Sequence, residues 1–277
     1  MPRKPRFYQP GLPVHAFQRG HNKQPVFFED EDYLVYLRLL KESAEACGCV
    51  IHAYVLMTNH VHLLVTPEST TAISTLFQSI GRHFVPYINK TYQRRGGLWE
   101  GRHKGNIIES EAYFLSCMRY IEMNPVRAGM VDHPAKYRWS SYASNALGVD
   151  NSIIQLHEQY LALSTKPQDR QAAYGSLFAI KTDAEELDMI RASLYSGTPL
   201  GNECFKKKIE VMTGCKVGVI KPGRPVMVKT SVIGYTYWII VKALIWSITT
   251  VNSVRSITSV DVMSVPITTS RIKSVRF

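Results

Sequence analysis

Cysteine is scarce in this chain. It has five in 277 residues, at Cys47, Cys49, Cys117, Cys204 and Cys215. So few, so irregularly spaced, exclude a disulfide scaffold. Cys47 and Cys49 stand one residue apart, and no second pair completes a zinc site. All five therefore read as reduced thiols of a cytoplasmic protein. Charged residues are only 20% against 45% hydrophobic, which excludes a mostly disordered or fibrous chain. The basic start Met1-Pro2-Arg3-Lys4-Pro5-Arg6 lacks the apolar run of a signal peptide. No internal repeat is visible. Ile233–Val251 is nearly apolar, but Lys242 interrupts it and β-branched residues fill it, so no membrane span is expected.

What is abundant is positive charge, and its distribution is uneven. The net charge is +11. Residues 1–150 balance at +4, residues 151–200 at −2 and residues 201–277 at +9. The densest stretch runs from Lys206, Lys207 and Lys208 through Lys216, Lys221, Arg224 and Lys229. A basic stripe gains affinity for a polyanion by releasing counterions from phosphates, so nucleic acid is the expected partner.

The first half alternates strand and helix patterns. Val14–Arg19 reads as a strand closed by Gly20. Glu29-Asp30-Glu31-Asp32 opens a helix, where acids favour the dipole. Tyr33, Tyr36, Leu37, Leu40 and Ala44 continue it at helical spacing until Gly48. Val50–Met57 and Val61–Pro67 read as strands joined by a turn at Thr58-Asn59. Ile73, Leu76, Phe77, Ile80 and Phe84 mark a second helix, disturbed at Pro86. Gly105–Glu109 reads as a strand, and Glu111–Asn124 as a helix stopped by Pro125. This order is the ferredoxin-like βαββαβ pattern, an α+β fold with a mainly antiparallel sheet and an added helix. Helical patterns continue around Thr182–Tyr195 and Glu203–Met212. Thirty-one of the last 48 residues, Thr230–Phe277, are Val, Ile, Ser or Thr. That tail reads as strand-rich or unfolded, or as read-through past a lost stop codon. The expected division is 1–138 as a catalytic domain, 139–228 as a helical, basic extension and 229–277 as the tail.

Chemistry concentrates in Asn59-His60-Val61-His62. On a strand, i and i+2 share a face, so His60 and His62 project side by side. Such a pair is either a metal site with little ordering cost or two partly buried, hydrogen-bonded histidines. On the Glu111–Asn124 helix, Tyr113, Cys117, Tyr120 and Asn124 fall on one stripe. An Asn124 amide oxygen suits Mg²⁺ or Mn²⁺ beside imidazole. Tyr120, one turn away, is then a candidate nucleophile. The alternatives are a groove-lining tyrosine and an asparagine that ends a helix before Pro125. The remaining histidines, His15 among them, have no paired partner in the sequence and are expected to be structural or exposed.

Several ordered motifs carry a resemblance. Ala53-Tyr54-Val55-Leu56-Met57-Thr58-Asn59-His60-Val61-His62-Leu63-Leu64 resembles the signature of the REP-associated tyrosine transposases. So does Arg119-Tyr120-Ile121-Glu122-Met123-Asn124-Pro125-Val126-Arg127-Ala128-Gly129. Arg19-Gly20-His21-Asn22 and Leu98-Trp99-Glu100-Gly101-Arg102 resemble two further family segments. The resemblance covers about residues 6–145, continues more weakly to about 228 and does not reach the tail. It implies a single-tyrosine HUH nuclease: His60, His62 and Asn124 hold Mg²⁺ or Mn²⁺, and Tyr120 is the nucleophile. It implies cleavage and strand transfer on hairpin-forming single-stranded DNA through a 5′-phosphotyrosine. A bacterial, cytoplasmic, nucleoid-associated monomer or homodimer is the implied setting. Arg94, Arg95, Arg102, Lys104 and Arg127 are expected to hold phosphates, and Trp99 to stack an unpaired base. Lys221-Pro222-Gly223-Arg224-Pro225 reads as an AT-hook-like core, with Lys206, Lys207 and Lys208 as further grip. A domesticated, non-cleaving DNA-binding protein and a water-using metallonuclease are the rival readings.

Overall fold

In the computed structural model, residues 8–180 and 183–217 are described, and all of them belong to one unit. Four strands form an antiparallel sheet: β1 (Val14–Arg19), β2 (Cys49–Met57), β3 (His60–Pro67) and β4 (Lys104–Ile107), in the order β2-β3-β1-β4. β2 and β3 are a hairpin with a two-residue turn, which forces them antiparallel. Helices α1 (Asp30–Cys47) and α2 (Ala72–Thr91) connect the strands, and α3 (Ser110–Glu122) follows β4. The α+β, ferredoxin-like expectation is met, since β1 lies between β3 and β4 rather than beside β2.

Local chemistry accounts for the element ends. Asp32 accepts from the backbone N–H groups of Phe28 and Glu29 at the start of α1. The same buried carboxylate accepts from the phenols of Tyr87 and Tyr92 at 2.9 and 2.8 Å. One of the four acids read as a dipole cluster is thus a fully satisfied tie between the start of α1 and the end of α2. Gly48 ends α1 at φ +64°, the left-handed region where a Cβ is costly. Pro86 does not stop α2, which runs through it to Thr91. Ile80, Phe84 and Ile88 are buried on both sides of the proline, and that apolar face outweighs one missing backbone bond. Pro125 also ends nothing. α3 closes at Glu122, and the proline opens a single turn, α4 (Asn124–Arg127), where its missing N–H costs nothing.

Burial divides the sheet into two faces. The strands alternate so that Val61 and Leu63 face one way and His60 and His62 the other. Phe27, Tyr36, Phe84 and Trp99 build an aromatic cluster with the α1–α2 layer. Phe114, Met118 and Ile121 are buried on α3, which packs on β2 and β3. Cys117, on the same helix stripe as Tyr120, is fully buried, and burial pushes its thiol pKa up.

Five further helices follow: α5 (Tyr142–Leu147), α6 (Glu158–Leu161), α7 (Pro167–Ser176), α8 (Ala184–Ser196) and α9 (Glu203–Thr213). Their attachment is polar as well as apolar. Glu122 is buried at the end of α3, where it accepts from Ser141 (2.5 Å), Asn145 (2.8 Å) and Tyr174 (2.7 Å). Burial raises its pKa to about 7, and the three donors work against that rise. No described helix is long and apolar enough to cross a membrane.

Candidate active site

The β-strand register brings the histidines together. His62 lies opposite Phe17 and His60 opposite Arg19. His15, two residues before Phe17, therefore shares their face and sits diagonal to His62. Its Nε2 is 2.8 Å from His62 Nδ1. The expectation that His15 has no partner is corrected here: strand pairing across the hairpin and β1, invisible in a one-dimensional reading, places it against His62. On the other side, His60 Nδ1 is 2.6 Å from Asn59 Oδ1. The Asn59 amide nitrogen donates to the Lys23 carbonyl at 2.9 Å, which orients the amide. His60 must then carry its proton on Nδ1, and its Nε2 keeps a free lone pair. Each imidazole is thus tethered through Nδ1, and no described residue bonds either Nε2. Such tethering is how outer partners orient ligating histidines.

The electrostatics keep these rings neutral. Burial, with Arg19 nearby, lowers the pKa of His60 to about 4. Burial, the neighbouring His15 and His60, and Arg127 hold His62 well below the usual imidazole range. Burial and Arg127 lower His15 to about 3. A neutral imidazole presents a lone pair without proton competition.

α3 delivers Tyr120 to the same place. Its ring centroid is 6.0 Å from that of His62 and 5.5 Å from that of His15. Asn124 donates through Nδ2 to the carbonyls of Tyr120 and Ile121, both at 3.1 Å. With the amide nitrogen so committed, its oxygen is left for another partner. Arg127 donates to the Tyr120 carbonyl at 2.5 Å and sets its guanidinium carbon 4.2 Å from the ring centroid. Burial lowers the Arg127 pKa to about 10; Arg191 and Arg119 add to this and Tyr120 opposes it.

These side chains line one cavity of about 400 Å³, which contains His60, His62, Tyr120, Asn124 and Arg127 together with Arg19, Lys23 and Arg191. The motif around Arg19-Gly20 forms its rim. Gly20 donates to the Asn59 carbonyl at 2.8 Å, and a Cβ there would fall 2.3 Å from the Gln24 carbonyl oxygen. Asn22 and Lys23 follow at φ 52° and 58°, a left-handed turn that aims the Lys23 carbonyl at Asn59. Arg19 pairs with Glu100 at 2.6 Å, joining the first-strand motif to the Leu98–Arg102 segment.

The expected DNA-contact residues scatter more widely. Among the described ones, Arg127 alone lines the cavity. Lys104 is exposed and holds its ammonium 4.8 Å from the Tyr195 ring centroid. Arg95 and Arg102 are exposed, and Arg94 lies 5.7 Å from the Phe28 ring centroid. Trp99 packs its ring against Phe84 and Tyr36 with a buried indole N–H. Lys207 and Lys208 are exposed on α9, and Lys206 pairs with Glu203. Lys221, Arg224 and the tail lie outside the described residues. Arg191 and Tyr195, which also line the cavity, carry no motif in the sequence; only the folding of α8 onto the sheet reveals them.

Comparison with known proteins finds a family likeness in the same part of the chain. Residues 9–124 match the family model described as IS200-like transposase. That match spans less than half of the chain, and it is this part that is similar to the IS200-like transposases. The matched span contains β1 through α3 and reaches Asn124, so every described strand, the Asn59–His62 motif and both Tyr120 and Asn124 lie inside it, whereas Arg127 lies beyond it. Among solved structures, a REP-associated tyrosine transposase bound to a REP hairpin is similar at 18% identity, with a TM-score of 0.47. That likeness covers 57% of this chain and 93% of the other. A Deinococcus radiodurans protein described as a transposase is similar at 22% identity with a TM-score of 0.31, covering 44% of this chain and 96% of the other. No curated protein matches the chain.

Proposed function

We infer that this protein is a transposase that cuts and rejoins single-stranded DNA with Tyr120 as the nucleophile, in the manner of the REP-associated tyrosine enzymes whose motifs it resembles. The observation that supports this best is the meeting of Tyr120, two Nδ1-tethered imidazoles and Asn124 in one cavity lined by cationic side chains.

The donor set suits a divalent cation. No group of three His, Cys, Asp or Glu among the described residues is arranged to hold one. The third ligand we assign is the Asn124 oxygen, left open because the amide nitrogen bonds the Tyr120 and Ile121 carbonyls, beside the Nε2 atoms of His60 and His62. Nitrogen and neutral oxygen donors together suit Mg²⁺ or Mn²⁺. When bound, such an ion polarises the scissile phosphate and offsets the charge that develops on it.

The chain's own residues do the rest. The Tyr120 oxygen attacks phosphorus, and the bond to the 3′ oxygen breaks. The products are a 5′-phosphotyrosine and a strand ending in a 3′-OH. Attack on the phosphotyrosine by a DNA 3′-OH reverses the step and joins a strand, since the covalent link conserves the phosphodiester energy. Arg127 holds the Tyr120 ring and main chain in place. The substrate we assign is a hairpin-bearing single strand of REP-like palindromic sequence.

The test incubates the full chain and Tyr120→Phe with a labelled hairpin-bearing single strand from the gene's flanks, in Mg²⁺ or Mn²⁺. A protein–DNA adduct on a denaturing gel, absent in Tyr120→Phe and in EDTA, is expected. Cleavage without an adduct would reassign the chemistry to water. Binding without cleavage in either metal would make the protein a non-cleaving DNA binder.

A further inference from the structure

Helix α8 lies beyond the residues that match the transposase family, yet it walls the Tyr120 cavity. Arg191, Leu194 and Tyr195 line that cavity at i, i+3 and i+4, so one face of the helix presents all three. Ile190 and Leu194 are buried and seat α8, which packs on β1 and β4. That apolar seat holds Arg191 and Tyr195 where they are.

The charge around the cavity is one-sided. Its lining includes Arg19, Lys23, Arg127 and Arg191 but no carboxylate, an arrangement that attracts an anion. Two of these cations are engaged: Arg19 pairs with Glu100, and Arg127 serves Tyr120. Arg191 meets Asp188 at 3.3 Å, one turn back on its own helix, where the carboxylate is 77% exposed. An exposed pair of that kind is weak and readily exchanged. Arg191 also stands close enough to Arg127 to oppose its charge. An anion between the two guanidinium groups would relieve that repulsion.

Tyr195 supplies the complementary chemistry. The residue is 54% exposed, although its ring is anchored. Phe17 meets it edge-on with centroids 6.2 Å apart, and the Lys104 ammonium lies 4.8 Å from its centroid. Phe17 in turn packs against His62 at 4.7 Å. An aromatic row therefore leads from the imidazole pair out to an open ring. A single strand has both things these residues can bind: a phosphate oxyanion for the guanidinium and an unpaired base for the ring.

We propose that Arg191 and Tyr195 form a nucleotide subsite for single-stranded DNA next to Tyr120, Arg191 holding a phosphate and Tyr195 stacking the adjoining base. This rests on the strand-cleaving reading for the identity of the ligand, and its test is kept separate from cleavage. The full chain carrying Tyr120→Phe, which cuts nothing, is titrated by fluorescence anisotropy with a short labelled oligothymidylate. An abasic phosphodiester strand of equal length is titrated beside it. Both probes carry the same phosphates, so their difference isolates stacking.

Adding Tyr195→Ala is expected to weaken oligothymidylate binding about tenfold and to leave the abasic strand unchanged. Tyr195→Phe should bind as the parent does. Arg191→Gln should weaken both probes and reduce the salt dependence by about one phosphate contact, and Arg191→Lys should restore most of it. Equal effects of Tyr195→Ala on both probes, or parental binding by Arg191→Gln, would overturn the subsite. Probe-selective losses in a protein whose Tyr120 forms no adduct would overturn the cleavage reading and leave the subsite standing. An adduct without those losses would do the reverse.

Discussion

At the residue scale, the site depends on atoms that touch no substrate. His15 is the clearest. Its Nε2 tethers His62 Nδ1, and its own Nδ1 is buried without a partner. If His62 offers Nε2 to a cation, its proton must sit on Nδ1 and point at His15. Replacing His15 by Phe removes that acceptor. A loss of about 10- to 100-fold in Mn²⁺ affinity is expected, the usual cost of an outer-shell partner. Calorimetric titration of folded His15→Phe and His15→Gln checks it, with Gln retaining part of the affinity; unchanged binding in His15→Phe would remove this role. Gly20 is a second case. Its φ of −61° suits any residue, so the constraint is space alone. A Cβ would meet the Gln24 oxygen at 2.3 Å and Val26 Cγ1 at 2.7 Å. Gly20→Ala should therefore cost about 1–3 kcal/mol of stability, read as a lowered melting temperature. A melting temperature matching that of the unsubstituted chain would show that the rim yields freely.

At the element scale, α3 is held at both ends of its function. One side carries Tyr120 to the histidines, and its last residue, Glu122, ties it to α5 and α7 through Asn145 and Tyr174. Ser141, just before α5, is the third donor, and Tyr54, Tyr142, Tyr160 and Tyr174 all feel the same carboxylate. The sign of its pH effect follows from its pKa of about 7, against an ordinary 4.5. Between those values the folded protein keeps a proton that the unfolded chain has released. Stability therefore falls as pH rises from about 4.5 to 7, by at most about 3 kcal/mol from this group. Glu122→Gln should flatten that part of the melting-temperature profile and match or exceed the parent above pH 7. A profile as steep as the parent's would show that another group carries the dependence.

At the scale of the whole molecule, the helices after residue 138 complete the sheet that bears the site. Leu56 donates its N–H to the Trp139 carbonyl, and Tyr54 donates its N–H to Ser141 Oγ. A chain ending at residue 138 loses these bonds and leaves Glu122 buried without its donors. It should show no cooperative thermal transition, whereas a chain ending at residue 217 should show one. Cooperative melting of the shorter chain would make residues 1–138 an independent domain. The net charge of +11 also acts at this scale. It predicts a DNA affinity that falls steeply with salt, measurable from the same anisotropy titrations.

Much of this was legible in one dimension because it depends on short-range periodicity. The period-two strands set His60 beside His62, and the helical spacing of Tyr120 and Asn124 put them one turn apart. The antiparallel pairing of β2 with β3 followed from a two-residue turn that permits only a hairpin. Proline was misread at Pro125, because a local breaker rule was applied where position in the turn governs. The partners that separation in sequence conceals were decided by tertiary structure: His15 on His62, Lys23 on Asn59, Tyr174 on Glu122, and α8 over the cavity. None has a spacing to betray it. Each arises because burying the sheet's two faces forces distant segments together, and buried polar groups must then find one another.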